Sequence, residues 1–489
     1  MPEKGYVRVM DKLGRTLAVT QDWQIIPDNV DYIIFRDGDL IKAKNGRTGK
    51  VDFKGTAGID DVSVINQAIS KGNSIFILPG EYDITEPIVI TKSNIILAGA
   101  GWSTILNQKN DYNCFKLVGA ENVTIKDLFI DAQYTTNPTN NKVIEIARSK
   151  HVLIDRIKIS KAPGFGIYMH ANDAGDTIDI TVRDSYLTGT GNNDVIGGGV
   201  DKGTTGLLSN ITIENNYIIQ GATRTGTYGQ GITLNRVKRV QIINNKLRGG
   251  ISFSGENTPN QYSRITGNLI EPAYNDVTPK IEIVSGDNGA YFILVSQNII
   301  TGGKINVIGT SEDATKIILL GNIVNASGLS EAIYLTRVSI GSIIGNVLQG
   351  ATYSILLDAS SKMLITSNTF MFSQYAVYEQ NGSFRNKVAF NFLQGVKNGI
   401  YLTGEESEAF GNYGWRTENH GTAAINADGT KTQFSIAHRL VSTPSYVNVI
   451  PKGGAPQPDS IDADSSNITL TFTTAPAEGT YYYWWEARV

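Results

Sequence analysis

The stretch ITIENNYI, residues 211–218, is followed 29 residues later by VQIINNKL, residues 240–247. Each alternates apolar and polar residues, passes through Asn-Asn, and resumes with a second short apolar run. Alternation has the period of a β-strand, not of a helix. The same phrase recurs as VTIKDLFI (123–130), VLIDRIKI (152–159), ITVRDSYL (180–187), SRITGNLI (263–270), FILVSQNII (292–300), IILLGNIV (317–324), GSIIGNVL (341–348), MLITSNTF (363–370) and KVAFNFL (387–393). Aligning them puts Asp127, Asp155, Asp184, Asn215, Asn244, Gly267, Gln297, Gly321, Gly345, Ser367 and Phe390 in one column, spaced by 22–31 residues. A fixed period of this size marks a solenoid.

A second run of the form small-Ile-x-aliphatic accompanies each repeat, as in KVIEI, GFGIYM, GQGITL, GGISF, PKIEI, GKINV, EAIYL, YSILL and NGIYL. Two or three strands per coil describe an all-β chain, a right-handed parallel β-helix whose coils stack about 4.8 Å apart. No single coil can bury its own inward Ile, Val and Leu; stacking builds one long core. The Asn after each strand (Asn216, Asn245, Asn268, Asn298, Asn322, Asn346, Asn368, Asn391, Asn412) suits a repeated corner and a ladder of amides, a structural role.

The ends break the pattern. Residues 1–50 read as a small β-rich region. Within 51–420, assigned to the β-helix, Asp60 followed by Val62, Ile65, Ala68 and Ile69 predicts a short capping helix over about 60–71. From 421 to 489 longer strands separated by Pro, Gly and Asp turns predict a β-sandwich.

Bulk properties narrow the function. The chain has 489 residues, 51 of them glycine, with 18% charged residues and a formal net charge of −3. No basic block points to nucleic acid. The single cysteine, Cys114, excludes a disulfide framework and any Cys-rich metal site and reads as a small buried residue. The first thirty residues lack a signal-peptide core, and no run reaches membrane-spanning length. No membrane partner is expected. The cytoplasm, or an extracellular or virion-associated location reached without a signal peptide, follows.

The segment from Asp52 to Ile84, with Gly-Ile-Asp-Asp and Leu-Pro-Gly-Glu-Tyr, resembles the opening of pectate-lyase-like β-helices. It is shared by phage tailspikes and exopolysaccharide depolymerases. The resemblance spans roughly residues 50–415 and implies a polysaccharide substrate and a homotrimer. Against polygalacturonases of the same superfamily, the corresponding line runs Pro-Gly-Phe-Gly at 163–166, Gly-Asn-Asn-Asp at 191–194 and Gly-Gln-Gly at 229–231. Asp194 survives from the family's acidic pair, while Asn193, Phe165 and Gln230 replace the other catalytic positions. The match is to the scaffold, so a catalytic set must come from the residues themselves.

Coils before residue 245 are longer than most after 300, which places functional loops over about 130–285. Alternation points Glu145, Tyr168, His170, Thr233, Asn235 and Glu282 outward. The intervening coil holds GNNDVIGGGVDKG, residues 191–203. If its strand centres on Val200, Asp201 joins the outward row. If it spans Val195–Gly198, Asp194 flanks that row instead. A phosphate-binding loop is excluded, because Lys202 precedes Gly203 and β-structure follows.

Glycoside hydrolysis needs two carboxyl groups, about 5–5.5 Å apart for retention or 6.5–9.5 Å for inversion. Neighbouring coils supply both separations. Asp194, Asp201, Glu145 and His170 are therefore the catalytic candidates for a depolymerase that hydrolyses an exopolysaccharide or capsule. Tyr168, Tyr228, Arg224, Arg236, Asn235 and Glu282 are candidates for sugar binding. Outer Tyr334, Tyr378 and Tyr401 read as a packing stack. Two alternatives stay open. One is a lyase or C5-epimerase of uronic acids, with Tyr168 and His170 handling the α-proton and Arg236 or Lys238 meeting the substrate carboxylate. The other is a non-enzymatic glycan-binding spike or adhesin. No cofactor is required, although an acidic cluster could hold calcium.

Overall fold

The computed structural model describes residues 29–109, 113–132, 142–189, 193–201, 203–220, 230–254, 260–273, 278–285, 290–310 and 313–489, with short strand segments before residue 29. The chain divides into two compact units, 1–326 with 336–338, and 327–335 with 339–489.

In the first unit each coil contributes one strand to each of three parallel sheets of a right-handed β-helix. One sheet carries the outward row predicted from the sequence. Its strands are β1 (Ile88–Ile90), β2 (Phe115–Val118), β3 (Lys142–Ala147), β4 (Phe165–Ala171), β5 (Ile196–Val200), β6 (Ile232–Asn235), β7 (Ile251–Ser254), β8 (Lys280–Val284) and β9 (Lys304–Ile308). Ile88, Phe115, Ile144, Ile167, Ile196, Ile232, Ile251, Ile281 and Ile305 stand level across it. All are fully buried. Burying one such side chain is worth about 1.5–3 kcal/mol, and a one-residue slip would turn the whole row into solvent. The apolar rows thus lock each coil on the next.

The aligned column of the repeats is a left-handed corner. Asp127, Asp184, Asn215, Asn244, Gly267, Gln297 and Gly321 all have positive φ. Asp155 is the exception: Arg156 occupies that corner (φ 50°), one residue later than the alignment placed it. Asp155 instead sits at the strand end, holding Arg183 Nε at 3.1 Å. The next residue forms the amide ladder. Asn216, Asn245, Asn268 and Asn298 each donate Nδ2–H to the Oδ1 of the following member at 2.9–3.1 Å. All are buried, so each amide satisfies groups that solvent cannot reach.

Helix α1 (Asp61–Lys71) lies ahead of the coils and buries Val62, Val64, Ile65, Ala68 and Ile69. Asp60 occupies its N-cap position without capping it; its carboxylate turns back to the Thr56 N–H at 2.8 Å. The buried acid is Asp61, which accepts from Arg36 Nη2 at 2.6 Å and the Asp83 N–H at 2.7 Å. The Cys114 thiol is buried, which pushes its pKa upward.

The second unit repeats the three-strand coil, with Tyr353–Asp358 pairing in parallel with Tyr375–Gln380. Its amide ladder runs through Asn346, Asn368, Asn391 and Asn412. Tyr353, Tyr375, Tyr378 and Tyr401 form a ring cluster, Tyr378 and Tyr401 stacked at 4.8 Å. Two three-stranded antiparallel sheets follow, with Ile425, Ile436, Val449, Ile468, Leu470, Tyr483 and Trp485 buried between them.

Candidate functional site

The glycine-rich loop resolves the open question of register. Its strand is Ile196–Val200, with Gly197 level with Tyr168 and Thr233, and Gly199 level with His170 and Asn235. The two outward positions of β5 are therefore glycines, and Asp201, directly after the strand, takes the next outward position of the same alternation, while Asp194 lies before the strand. Asp194 lies two residues before the strand, half-buried, its Oδ1 accepting the Gln230 N–H at 2.8 Å. Asp201 follows the strand directly, exposed, its own N–H donating to the Ala171 carbonyl.

Gly197 and Gly199 form a shelf that is itself buried, with the Phe165 ring over the first and Asn235 packed against the second. Phe165 leans over the Gly197 side: a Cβ on Gly197 would stand 2.4 Å from its Cε1. Gly198 faces inward, where a Cβ would meet the Met169 carbonyl oxygen at 2.8 Å. Glycine is required there by packing.

On the β4 side of the shelf, Glu145, Tyr168 and His170 come together. Glu145 is level with Tyr168, yet its Oε1 reaches diagonally to His170 Nε2 at 3.3 Å. Lys142 Nζ donates to the same Oε1 at 3.1 Å, and Asn113 Nδ2 donates to Oε2 at 2.6 Å. Lys142 Nζ also lies 4.5 Å from the Tyr168 ring centroid, a cation–π contact. The His170 hydrogen bond, reinforced by Lys142 against the opposing effect of burial, holds the Glu145 carboxyl down to about 2. Burial pushes the Tyr168 hydroxyl up, with the charges of Asp201 and Glu145 adding to it. The Tyr168 and His170 rings are 5.7 Å apart. The group therefore joins an ionised carboxylate, an imidazole it orients, and a phenol held in its protonated form.

The other border is polar and uncharged near the shelf. Thr233 and Ser252 are level, as are Asn235 and Ser254, whose hydroxyl donates to Asn235 Oδ1. Glu282 lies level with Ser252, three coils beyond Gly197, and is paired with Lys280 Nζ at 2.7 Å. Arg236 does not project into the groove. It is buried, and its Nη1 donates to the Val200 carbonyl at 3.0 Å. Lys238 belongs to the strand Val237–Ile243 of a neighbouring sheet. Arg224 and Tyr228 lie outside the described residues.

Sequence reasoning missed Lys142, Asn113 and Lys116. Lys116 is exposed and level with Glu145 in the outward row. The signal for Lys142 was present in Lys142-Val-Ile-Glu145, which places a cation three residues before the carboxylate. Asn113 precedes its strand, so no alternation exposes it. Among the described residues no group of three or more His, Cys, Asp or Glu is placed to share a metal ion.

No protein family model matches the chain, and no curated protein sequence matches it. Solved structures do. The A-module of Azotobacter vinelandii mannuronan C-5 epimerase AlgE6 aligns with 18% identity and a TM-score of 0.47, over 73% of this chain and 94% of that one. The Streptococcus pneumoniae surface adhesin PfbA aligns with 13% identity and a TM-score of 0.45, over 71% and 91%. The tailspike protein gp49 of Pseudomonas phage LKA1 aligns with 10% identity and a TM-score of 0.38, over 87% and 92%. The likeness is one of fold. The chain's own sheets display a right-handed β-helix.

Proposed function

We propose that the chain is a polysaccharide-processing enzyme that abstracts the C5 proton of a uronic acid residue, as a lyase or C5-epimerase. The observation that carries this reading is the Glu145–His170 pair beside Tyr168 on the edge of the Gly197/Gly199 shelf. With its Nε2 proton donated to Glu145, His170 presents Nδ1 as the basic nitrogen. Tyr168, kept protonated, is suited to donate to the departing C4 oxygen, or to return a proton to C5 from the other face. The Lys142 ammonium, 4.5 Å from the Tyr168 ring centroid, supplies positive charge for the substrate carboxylate, whose neutralisation makes the C5 proton removable.

Hydrolysis is less well supported. A general acid needs a carboxyl with a raised pKa, whereas Glu145 is held down to about 2. Asp194 already accepts a backbone N–H. A substrate of this class is met outside a cell or on a virion, which is where we place the protein.

The test is incubation of wild type and His170→Ala with purified uronate polysaccharides in heavy water. Ultraviolet absorbance reports unsaturated ends, and nuclear magnetic resonance reports deuterium at C5. Either signal from wild type, lost in the variant, supports the reading. New reducing ends with neither signal would establish hydrolysis instead. Binding without turnover of any polymer would make the chain a glycan-binding spike or adhesin.

A further inference from the structure

Four successive strands of the neighbouring sheet, Val237–Ile243, Asn260–Thr266, Ala290–Ser296 and Ala314–Leu320, contain no aspartate or glutamate. They carry Lys238, Arg239, Arg264 and Lys316. The four strands before them in the same sheet, at 121–126, 150–155, 177–183 and 208–214, each hold at least one carboxylate. On a chain of net charge −3, this is a local reversal of sign.

Aromatic rings sit inside the basic stretch. Tyr262 and Phe292, on adjacent strands, stack 5.1 Å apart at 12° and are 58% and 43% exposed. Lys316 Nζ stands 4.1 Å from the Phe292 ring centroid. Arg239, Gln241, Arg264 and the two rings line a depression of about 420 Å³. Among the described residues neither Arg239 nor Arg264 has an ion-pair partner.

The backbone makes these rings unexpected. Asn94, Asn122, His151, Asp179, Asn210, Arg239, Tyr262, Phe292 and Lys316 all occupy a positive-φ position on this sheet. Asparagine suits that conformation and bulky residues do not. The corner thus changes from mostly short polar residues to aromatic and cationic ones where the carboxylates disappear. Packing does not explain the change, because the rings face solvent.

We infer that this face is a second glycan site, which anchors an acidic polysaccharide away from the His170 shelf. Flat rings suit the apolar faces of sugars, and unpaired guanidinium groups suit carboxylate or sulfate substituents. Successive coils offer one contact per strand spacing along a linear polymer. Four cations over four strands are few for nucleic acid, whose binders neutralise many more phosphates. The choice of a polysaccharide over other polyanions rests on the proposed function.

The test uses full-length protein and three probes: fluorescent polygalacturonate, neutral dextran and a single-stranded oligo-dT. Tyr262→Asn with Phe292→Asn restores the residue that the backbone favours, so the double variant should fold at least as well as wild type. We expect it, and separately Arg239→Ala with Arg264→Ala, to weaken polygalacturonate binding at least tenfold. Both double variants should keep the C5-deuterium and ultraviolet signals of wild type on a short uronate oligomer within about twofold, which separates failure here from failure of the catalytic reading. Dextran and oligo-dT should bind at least tenfold more weakly than polygalacturonate. Unchanged polygalacturonate binding in both double variants, tighter binding of dextran or oligo-dT, or no binding by wild type overturns the proposal.

Discussion

Glu145 and His170 meet diagonally: the strand register sets Glu145 level with Tyr168, while its carboxylate crosses to His170 Nε2 at 3.3 Å. One carboxylate thereby orients the imidazole and leaves the row position beside it to the phenol. Glu145→Gln presents either an amide oxygen or an amide N–H to Nε2 and no longer fixes the tautomer. Activity should fall by up to about 10⁴-fold, the loss seen when the carboxylate that orients a general-base imidazole becomes an amide. The fall should be in kcat more than KM, checked by steady-state kinetics.

The same substitution has a signature in stability. Glu145 is depressed from its ordinary 4.5 to about 2, so its ionised form stabilises the fold fully above 4.5. That contribution is lost as pH falls toward 2. The melting temperature of wild type should exceed that of Glu145→Gln at neutral pH, and the gap should close between about 4.5 and 2. A gap that persists unchanged at the acid end would mean that shape, and not charge, is responsible.

Asp194 and Asp201 should behave unlike catalytic acids. Asp194→Asn keeps an oxygen for the Gln230 N–H and should retain activity within a few-fold, whereas loss of a general acid or base costs roughly 10²–10⁴-fold. Asp201→Asn removes a charge that helps to raise Tyr168. The basic limb of its pH–rate profile should move to lower pH with little change at neutrality. Tyr168→Phe should lose about 100-fold or more at every pH.

The glycine strand separates packing from function. Gly198→Ala puts a Cβ 2.8 Å from a backbone oxygen and should destabilise by roughly 1–3 kcal/mol through overpacking. Gly199→Ala meets the Asn235 Cβ at 3.2 Å and its carbonyl oxygen at 3.4 Å, a milder approach than at Gly198. It should fold, yet raise the shelf and increase KM. Urea denaturation and kinetics on the two variants distinguish these effects.

The amide ladder gives a stability prediction free of chemistry. Asn268 accepts from the Asn245 N–H and Nδ2 and donates to the Ile242 carbonyl and Asn298 Oδ1. Asn268→Ala strands these buried partners, at about 1–3 kcal/mol for each group left unpaired. Denaturation should show a loss of several kcal/mol with catalysis retained in the folded fraction.

Much of this architecture was legible in the chain. A two-residue alternation repeated at a regular interval decides which side chains are buried, since inward Ile and Val cannot be left wet. It also placed Glu145, Tyr168 and His170 outward before any coordinates. Asp155 slipped by one residue because VTIKDLFI and VLIDRIKI carry their aspartates at different points of the same corner.

Register was fixed by side chains wherever side chains existed. In Ile196-Gly197-Gly198-Gly199-Val200 the middle of the strand has none, so the sequence offers no inside or outside there and both aspartates remained candidates. Stacking against Met169 and Leu234 settled it. The same limit hid Asn113, whose side chain reaches Glu145 from beyond the alternating run. It also hid the buried fate of Arg236. Periodicity reports the direction a residue leaves the backbone. Only the packed coils decide how far it travels and what it meets.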